Sequence, residues 1–190
     1  MSNIKIQNIS HQQKFSYDLA VIHKENYPKS HFSSHIPITV LNDLYFSYFR
    51  KMTIYLATFE DENCGFIIGG DKSHLNYNFS FRCILSIIST YLQNPKFGLK
   101  KLFIPYMFDA SSMNIPNFRI FSICVVSKFS KKGIGRTLLN TIENEFRSKS
   151  IQKYGLSVKY FNKEALLFYL KNHFNVSHVS GENIYLDKHL

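Results

Sequence analysis

Tryptophan is absent from this 190-residue chain, acidic residues number 13 against 23 basic ones, and cysteine occurs 3 times. An odd cysteine count without metal-ligand spacing excludes a disulfide framework and a zinc cluster, so no metal is expected. Cys64, Cys83 and Cys124 sit inside apolar runs and read as reduced core thiols. No apolar stretch approaches the roughly 18 residues that a membrane span requires, and the start, Met1 to Gln7, lacks the apolar core of a secretion signal. A cytoplasmic protein without a membrane span is therefore expected. Internal repeats, low-complexity tracts and Gly/Ser linkers are missing as well, which predicts one domain over residues 1–190. Hydrophobic residues make up 45% and charged ones only 19%, which excludes a disordered chain.

What is abundant is phenylalanine, 18 residues, and tyrosine, 12 residues, rings that need a core or a pocket to occupy. The net charge of +10 has two readings. It suits a nucleic-acid binder or a site for a polyanionic ligand. It also suits a lysine-rich background in a chain equally rich in Ile, Asn, Phe and Tyr. The tight basic cluster is Lys128, Lys131, Lys132 and Arg136.

Periodicity orders the chain. Ile4 to Ile9 alternates like a short strand, and His11 to Asn26 reads as a helix behind an N-cap at Ser10, ended by Pro28. A polar loop, Lys29 to His35, leads to a second helix from about Thr39 to Arg50. Thr53–Phe59 and Gly65–Gly69 are strands of a hairpin joined by Glu60-Asp61-Glu62-Asn63. Phe81 to Leu92 and Pro95 to Met107 suggest buried helices, followed by a loop from Asp109 to Asn117. Phe118 to Val126 reads as a fully buried strand. Arg136 to Ser148 is a strong helix with Leu138, Leu139, Ile142 and Phe146 on one face. The strand Tyr154–Tyr160, a helix capped by Asn162, and two closing strands near Asn175–Ser180 and Asn183–Asp187 complete an α/β half on a mixed sheet.

One junction carries chemistry. The buried strand ends at Val125-Val126 and runs through Ser127-Lys128-Phe129-Ser130-Lys131-Lys132 into Gly133-Ile134-Gly135-Arg136-Thr137, where a helix opens. Glycine lets backbone amides face a ligand without an intervening side chain, and the first helical turn is a ready anion site. Lys131, Lys132 and Arg136 add cations, so a pyrophosphate would fit. The dinucleotide fingerprint needs a third glycine and a Walker loop needs Lys-Ser/Thr after its last glycine, and neither is present. Downstream stand Asn162, Ala165, Phe168-Tyr169 and Phe174.

Together, Gly133-Ile134-Gly135-Arg136 with its Leu138-Leu139 helix and Asn162…Ala165…Phe168-Tyr169…Phe174 resemble the GCN5-related N-acetyltransferase (GNAT) superfamily over about Phe118 to Phe174. The chain departs from that pattern at Ser130, where the family has Gln or Arg, and at His173, where it has glycine. The resemblance implies a mixed, mostly antiparallel central sheet flanked by helices, with a helical insertion over residues 74–117 before the fourth strand. It implies acetyl-CoA or another short acyl-CoA as cosubstrate, held between the fourth and fifth strands. The main chain of Ile123, Val125 and Val126 would pair with the pantetheine arm. The loop Ser130, Lys131, Lys132, Gly133, Ile134, Gly135, Arg136 and Thr137 would hold the pyrophosphate. Asn162 would touch the arm as well as cap its helix, and Tyr169 would face the thioester sulfur as general acid, unless it is simply a core aromatic.

Many members carry a Glu on the fourth strand as general base, yet Phe118 to Val126 contains no carboxylate. Candidate bases are His23, His31, His35, Asp71, His74 and Asp109, or water. A lysine amine, with its pKa near about 10.4, needs such help at neutral pH. An amine on a sugar, flanked by electron-withdrawing oxygens, is already largely neutral. A further resemblance agrees: His23, Tyr27-Pro28-Lys29-Ser30 and Phe32, with His31 intruding, are similar to members associated with bacterial surface polysaccharides. That resemblance implies that His23, Tyr27, Ser30, His31, Phe32 and His35, with the 74–117 insertion, cover an acceptor that is a nucleotide-linked amino sugar. Two other readings stay open, a protein or peptide amine as acceptor and a basic nucleic-acid-binding α/β domain. The leading reading needs no nucleic-acid partner, and a homodimer is compatible with it.

Overall fold

The computed structural model of the chain describes residues 4–28, 34, 36–49, 51–74, 85, 88, 89, 92 and 116–190. Among them the apolar, alternating stretches assemble into a seven-stranded sheet. In chain order the elements are β1 (Ile4–Asn8), α1 (Ser16–Asn26), α2 (Ile38–Tyr48), β2 (Thr53–Phe59), β3 (Glu62–Asp71) and β4 (Phe118–Val125). They continue as α3 (Ile134–Ser148), β5 (Lys153–Lys159), α4 (Lys163–Lys171), β6 (Asn175–Ser180) and β7 (Asn183–His189). The spatial order is β1-β2-β3-β4-β5-β7-β6. Every neighbouring pair is antiparallel except β4 and β5, which are parallel. This is the mixed, mostly antiparallel α/β arrangement expected from the sequence. The expected 74–117 insertion, with its two helices, falls almost entirely outside the described residues, as does Cys83.

Two apolar cores flank the sheet. One joins Leu138, Leu139, Ile142 and Phe146 of α3 to Ile67, Ile120, Tyr154 and Leu156 of the strands and to Tyr169 of α4. The other joins Leu19, Ala20 and Ile22 of α1 and Leu41 and Tyr45 of α2 to Ile54, Leu56, Phe66 and Ile68. Gly69 brings α3 down onto the sheet, because a Cβ there would stand 2.7 Å from Ile142 Cδ1. A polar link ties α3 to the far strands. The buried Glu143 carboxylate accepts from Lys188 Nζ at 2.7 Å and from the Tyr154 hydroxyl, and Arg147 lies 3.7 Å away. A buried carboxylate needs such company.

Several boundaries differ from the sequence reading. Ser10 does not cap α1, which begins only at Ser16 after a short turn at Gln13–Phe15. Its hydroxyl is taken by the sheet: it donates to Asn8 Oδ1 at 2.6 Å and accepts from Ile54 N–H at 2.9 Å. The β2–β3 turn is two residues, not four. Phe59 pairs directly with Glu62, and Glu60 and Asp61 take φ of 51° and 62°, the positive values a tight hairpin turn demands. Strand β4 is less completely buried than its apolar run suggests. Both faces carry core, Ile120 toward α3 and Ser122 and Cys124 toward α1 and α2, but Arg119, Phe121, Ile123 and Val125 are only half-buried.

Candidate active site

Strand β4, at the centre of the sheet, carries an irregularity. Its register against β3 runs Gly65–Val125, Phe66–Cys124, Ile67–Ile123 and Ile68–Ser122, then jumps to Gly69–Ile120, so Phe121 is an extra residue. A bulge of this kind bends the strand and redirects its side chains. On the other side β4 meets β5 through the single pairing Arg119–Gly155, near the start of both strands. Beyond it the strands part, and a gap opens toward Val125 and Lys159. Val126 N–H donates to Cys64 C=O at 2.8 Å, which fixes which main-chain groups face β3. Alternation along an antiparallel strand then turns the N–H and C=O of Ile123 and Val125 toward the gap.

At the mouth of the gap the chain makes a short turn over Ser127–Phe129 and enters α3 at Gly133. Lys131 and Gly133 adopt left-handed φ of 62° and 84°, which swings the backbone into the helix, and only glycine takes such a value at no cost. The amides of Ile134, Gly135 and Arg136 find no acceptor among the described residues, as the geometry of a first helical turn dictates. With the helix dipole they form an anion site. Gly135 faces the gap region closely: a Cβ on it would lie 3.4 Å from the Phe168 ring of α4 and 3.7 Å from Val125. Lys131, Lys132 and Arg136 are exposed around this turn. Lys132 Nζ stands 4.4 Å over the Phe59 ring, and Lys128 is paired with Glu62.

Helix α4 approaches the gap from the β5 side. Asn162 caps it, its Oδ1 accepting from Ala165 N–H at 3.2 Å. The helix ends in a reverse turn in which His173 takes a φ of 66° and Phe174 N–H reaches back to Tyr169 C=O at 3.2 Å. Position 173 thus has the left-handed geometry that usually calls for glycine, although its residue is histidine. The Tyr169 ring packs edge-on against Phe168 and Phe174. Its hydroxyl finds no hydrogen-bond partner among the described residues. Burial, and after it the nearby Cys124 thiol, push the Tyr169 phenol well above its ordinary value. It is therefore a proton donor, not a tyrosinate, at neutral pH. Burial likewise pushes the Cys124 thiol up to about 12, so no competing thiolate forms there.

On the opposite face α1 and α2 bring a polar cluster against β4. The His23 imidazole stacks on the Tyr27 ring, centroids 3.6 Å apart and nearly parallel, and His23 Nδ1 contacts the Tyr45 hydroxyl. The Tyr27 hydroxyl shares a hydrogen bond with Ser122 Oγ at 2.8 Å, and Tyr45 Oη lies 3.5 Å from the same oxygen. Cys124 Sγ reaches Ile22 C=O at 3.7 Å. The last turn of α1 is also tied across to the basic loop: Asn26 Oδ1 accepts from Ser127 N–H at 2.8 Å.

The structure brings Ile123, Val125 and the residues from Lys131 to Arg136 to one gap, with Asn162 and Tyr169 on its far side. Two expectations need correction. Val126 cannot pair with a ligand as Ile123 and Val125 can, because its N–H goes to Cys64 and its C=O accepts from Phe129 at 2.9 Å. The Thr137 amide is likewise taken, by Gly133 C=O at 3.0 Å, and its hydroxyl bonds the same carbonyl. Ser130 is exposed beside the turn, its N–H on Ser127 C=O. His23 and Tyr27 meet on the α1 side, while Ser30, His31, Phe32, His35 and Asp109 lie outside the described residues. Asp71 sits at the other end of β4's partner strand, opposite Phe118, where its carboxylate accepts from Ser73 N–H. His74 is exposed and contacts Lys51 C=O at 3.1 Å. Sequence reading missed Tyr45, Ser122 and Asn26. A lone serine in the apolar run Phe118–Val126 was the available signal for Ser122. Among the described residues no His, Cys, Asp and Glu gather as a metal site, and no helix is long and apolar enough to cross a membrane.

The gap suits one kind of ligand: an extended chain with amide groups, which an open strand edge can pair, carrying an anion at one end for the first turn of α3. Comparison with known proteins agrees. The model of the Acetyltransferase (GNAT) family matches residues 19–174. No curated protein matches the sequence. Among solved structures the chain is similar to a PaiA N-acetyltransferase from Thermoplasma acidophilum in complex with coenzyme A, with TM-score 0.65, 17% identity and 99% of both chains covered. It is also similar to a GNAT family acetyltransferase from Elizabethkingia anophelis with acetyl-CoA bound, with TM-score 0.58, 16% identity and 99% of both chains covered.

Proposed function

Because the chain belongs to the GNAT acetyltransferase family, and is thus an acyl-CoA-dependent N-acyltransferase, we propose that its acceptor is the amine of a nucleotide-linked amino-deoxysugar. The observation that carries this reading is the chemistry of β4. On the face turned to α1 and α2 it offers Ser122 and Cys124, and no residue of Phe118–Val125 is a carboxylate. A strongly basic amine arrives protonated and needs a base before it can attack, whereas a sugar amine, made less basic by the oxygens around it, offers a far larger neutral fraction at the same pH. Half-buried Tyr27 supplies an aromatic wall on the same side, suited to a sugar or base face. The positive charge of the chain raises the encounter rate with a substrate that carries two phosphates.

In this reading the acyl-CoA cosubstrate lies in the gap, its pantetheine arm along Ile123 and Val125 and its pyrophosphate at the amides of Ile134, Gly135 and Arg136. The acceptor nitrogen bonds the thioester carbon, and main-chain donors at the splayed strand stabilise the developing oxyanion, an effect commonly worth about 3–4 kcal/mol. Tyr169 then gives its proton to the departing sulfur. The test follows thiol release with acetyl-CoA and a panel of dTDP- and UDP-linked amino sugars, lysine peptides and polyamines. Turnover is expected with a sugar nucleotide. Turnover of peptides or polyamines with no response to any sugar nucleotide overturns the acceptor and leaves the acyl-CoA site standing.

A further inference from the structure

His23, Tyr45, Ser122 and Tyr27 come from α1, its C-terminal end, α2 and β4, and they converge on one line of polar atoms in an otherwise apolar core. His23, Tyr45 and Ser122 are each buried to 8% exposure or less, and Tyr27 is half-buried. Buried polar atoms that contact one another in sequence, Nδ1 to Oη to Oγ, are expensive to assemble unless the arrangement is used or fully satisfied. Ser122 sits immediately after the bulge at Phe121, and the bulge is what leaves its side chain, like that of Phe121, on the α1–α2 face. Cys124, two residues further on, is the common neighbour of Tyr45 on this side and of Tyr169 on the other. The cluster and the Tyr169 hydroxyl therefore flank the same stretch of β4 from opposite sides.

We infer that Ser122, Tyr45 and His23 form a proton-accepting chain that serves the acceptor amine where a carboxylate is missing, with Tyr27 as the positioning residue that stacks on the imidazole and holds Ser122. The inference rests on the reading of the gap as an amine acyltransferase site. As the acceptor nitrogen bonds the acyl carbon, its proton passes to Ser122 Oγ, the Ser122 proton passes to Tyr45 Oη, and the Tyr45 proton passes to His23 Nδ1. The C–S bond breaks and the sulfur leaves with the Tyr169 proton. His23 then returns its extra proton to solvent and Tyr169 regains one, so the products are an amide and a thiol with no net change in the protein. The 3.5 Å separation of Tyr45 Oη from Ser122 Oγ is loose, and such contacts tighten when a substrate is bound. An imidazole reached through two hydroxyls suits an amine that loses its proton only as the new bond forms.

The experiment compares Ser122→Ala, Ser122→Thr and Tyr45→Phe with wild type, using the acceptor that the panel above turns over best. Ser122→Ala and Tyr45→Phe are expected to lower kcat about 10- to 100-fold, with KM for acetyl-CoA and the thermal shift given by CoA within about twofold of wild type. Ser122→Thr, which keeps a hydroxyl, is expected to recover most of the rate. A packing role would give the reverse order, since alanine fits any space that serine fills and threonine does not. Wild-type kcat in Ser122→Ala or in Tyr45→Phe overturns the chain and spares the acyltransferase reading. A wild-type protein that acetylates no amine of the panel overturns both.

Discussion

Tyr169 combines a buried ring with a hydroxyl that no described residue engages and that is not sealed from solvent, since no buried side-chain polar atom among the described residues lacks a partner. Packing explains the ring, which Phe168 and Phe174 hold edge-on, but not the hydroxyl. Its substitution by phenylalanine removes one oxygen and leaves the packing alone. Tyr169→Phe is therefore expected to leave the melting temperature within about 1 °C, since no hydrogen bond is lost. It should keep CoA affinity and lower kcat on the order of 100-fold. Steady-state kinetics beside a melting curve make the check, and an unchanged kcat would return Tyr169 to the status of a core aromatic.

At the scale of elements, the first turn of α3 and the parting of β4 from β5 are a single device. The left-handed Gly133 swings the chain into a helix whose first amides no described residue pairs, and the strand that leads into it parts from its described neighbour. An anion and an extended polar chain can then be held together. Gly135 is the sensitive position, because a Cβ there would meet Phe168 and Val125 at van der Waals distance. Gly135→Asp adds a Cβ that this space accepts, together with a carboxylate that repels the pyrophosphate. Coenzyme A at a hundredfold excess over its Kd should raise the wild-type melting temperature by about 5–10 °C, from about 2.7 kcal/mol of linkage. In Gly135→Asp the same concentration should give almost no shift with an intact circular dichroism spectrum. A full shift in that variant would remove the pyrophosphate from the start of α3.

For the whole molecule, the buried phenols set an alkaline limit on stability. Tyr45, Tyr154 and Tyr169 all hold their protons above the ordinary tyrosine range, chiefly through burial, with the Glu143 hydrogen bond and charge adding to the shift at Tyr154. The folded chain keeps these protons at a pH where the unfolded chain has begun to release them. Stability from them is thus fully present below about pH 10 and is lost as pH rises further, by about 1.4 kcal/mol per group per unit and about 4 kcal/mol for the three. Urea midpoints measured from pH 8.5 to 11.5 should be level at first and then fall steeply, together with tyrosinate absorbance. A midpoint that stays level to pH 11.5 would contradict the burial of these hydroxyls.

Local patterns in the sequence determined a good deal of this protein. Period-two and helical spacing located β1, β2, β4 to β7 and the helices α2 to α4, and glycine chemistry located the start of α3, because those signals act over a few residues. The glycines at 133 and 135, the Asn162 cap and Tyr169 were legible as candidates for the same reason. What local patterns could not supply was pairing. Ser10 looked like a cap until the distant Ile54 amide took its hydroxyl. Val126 and Thr137 looked as available as their neighbours until Cys64, Phe129 and Gly133 engaged their main-chain groups. The His23, Tyr45 and Ser122 line spans residues 22 and 77 positions apart. No sequence window holds them together. Only the bulge at Phe121 and the packing of α1 and α2 on β4 set these atoms side by side, since hydrogen bonds depend on distance in space and periodicity records only distance along the chain.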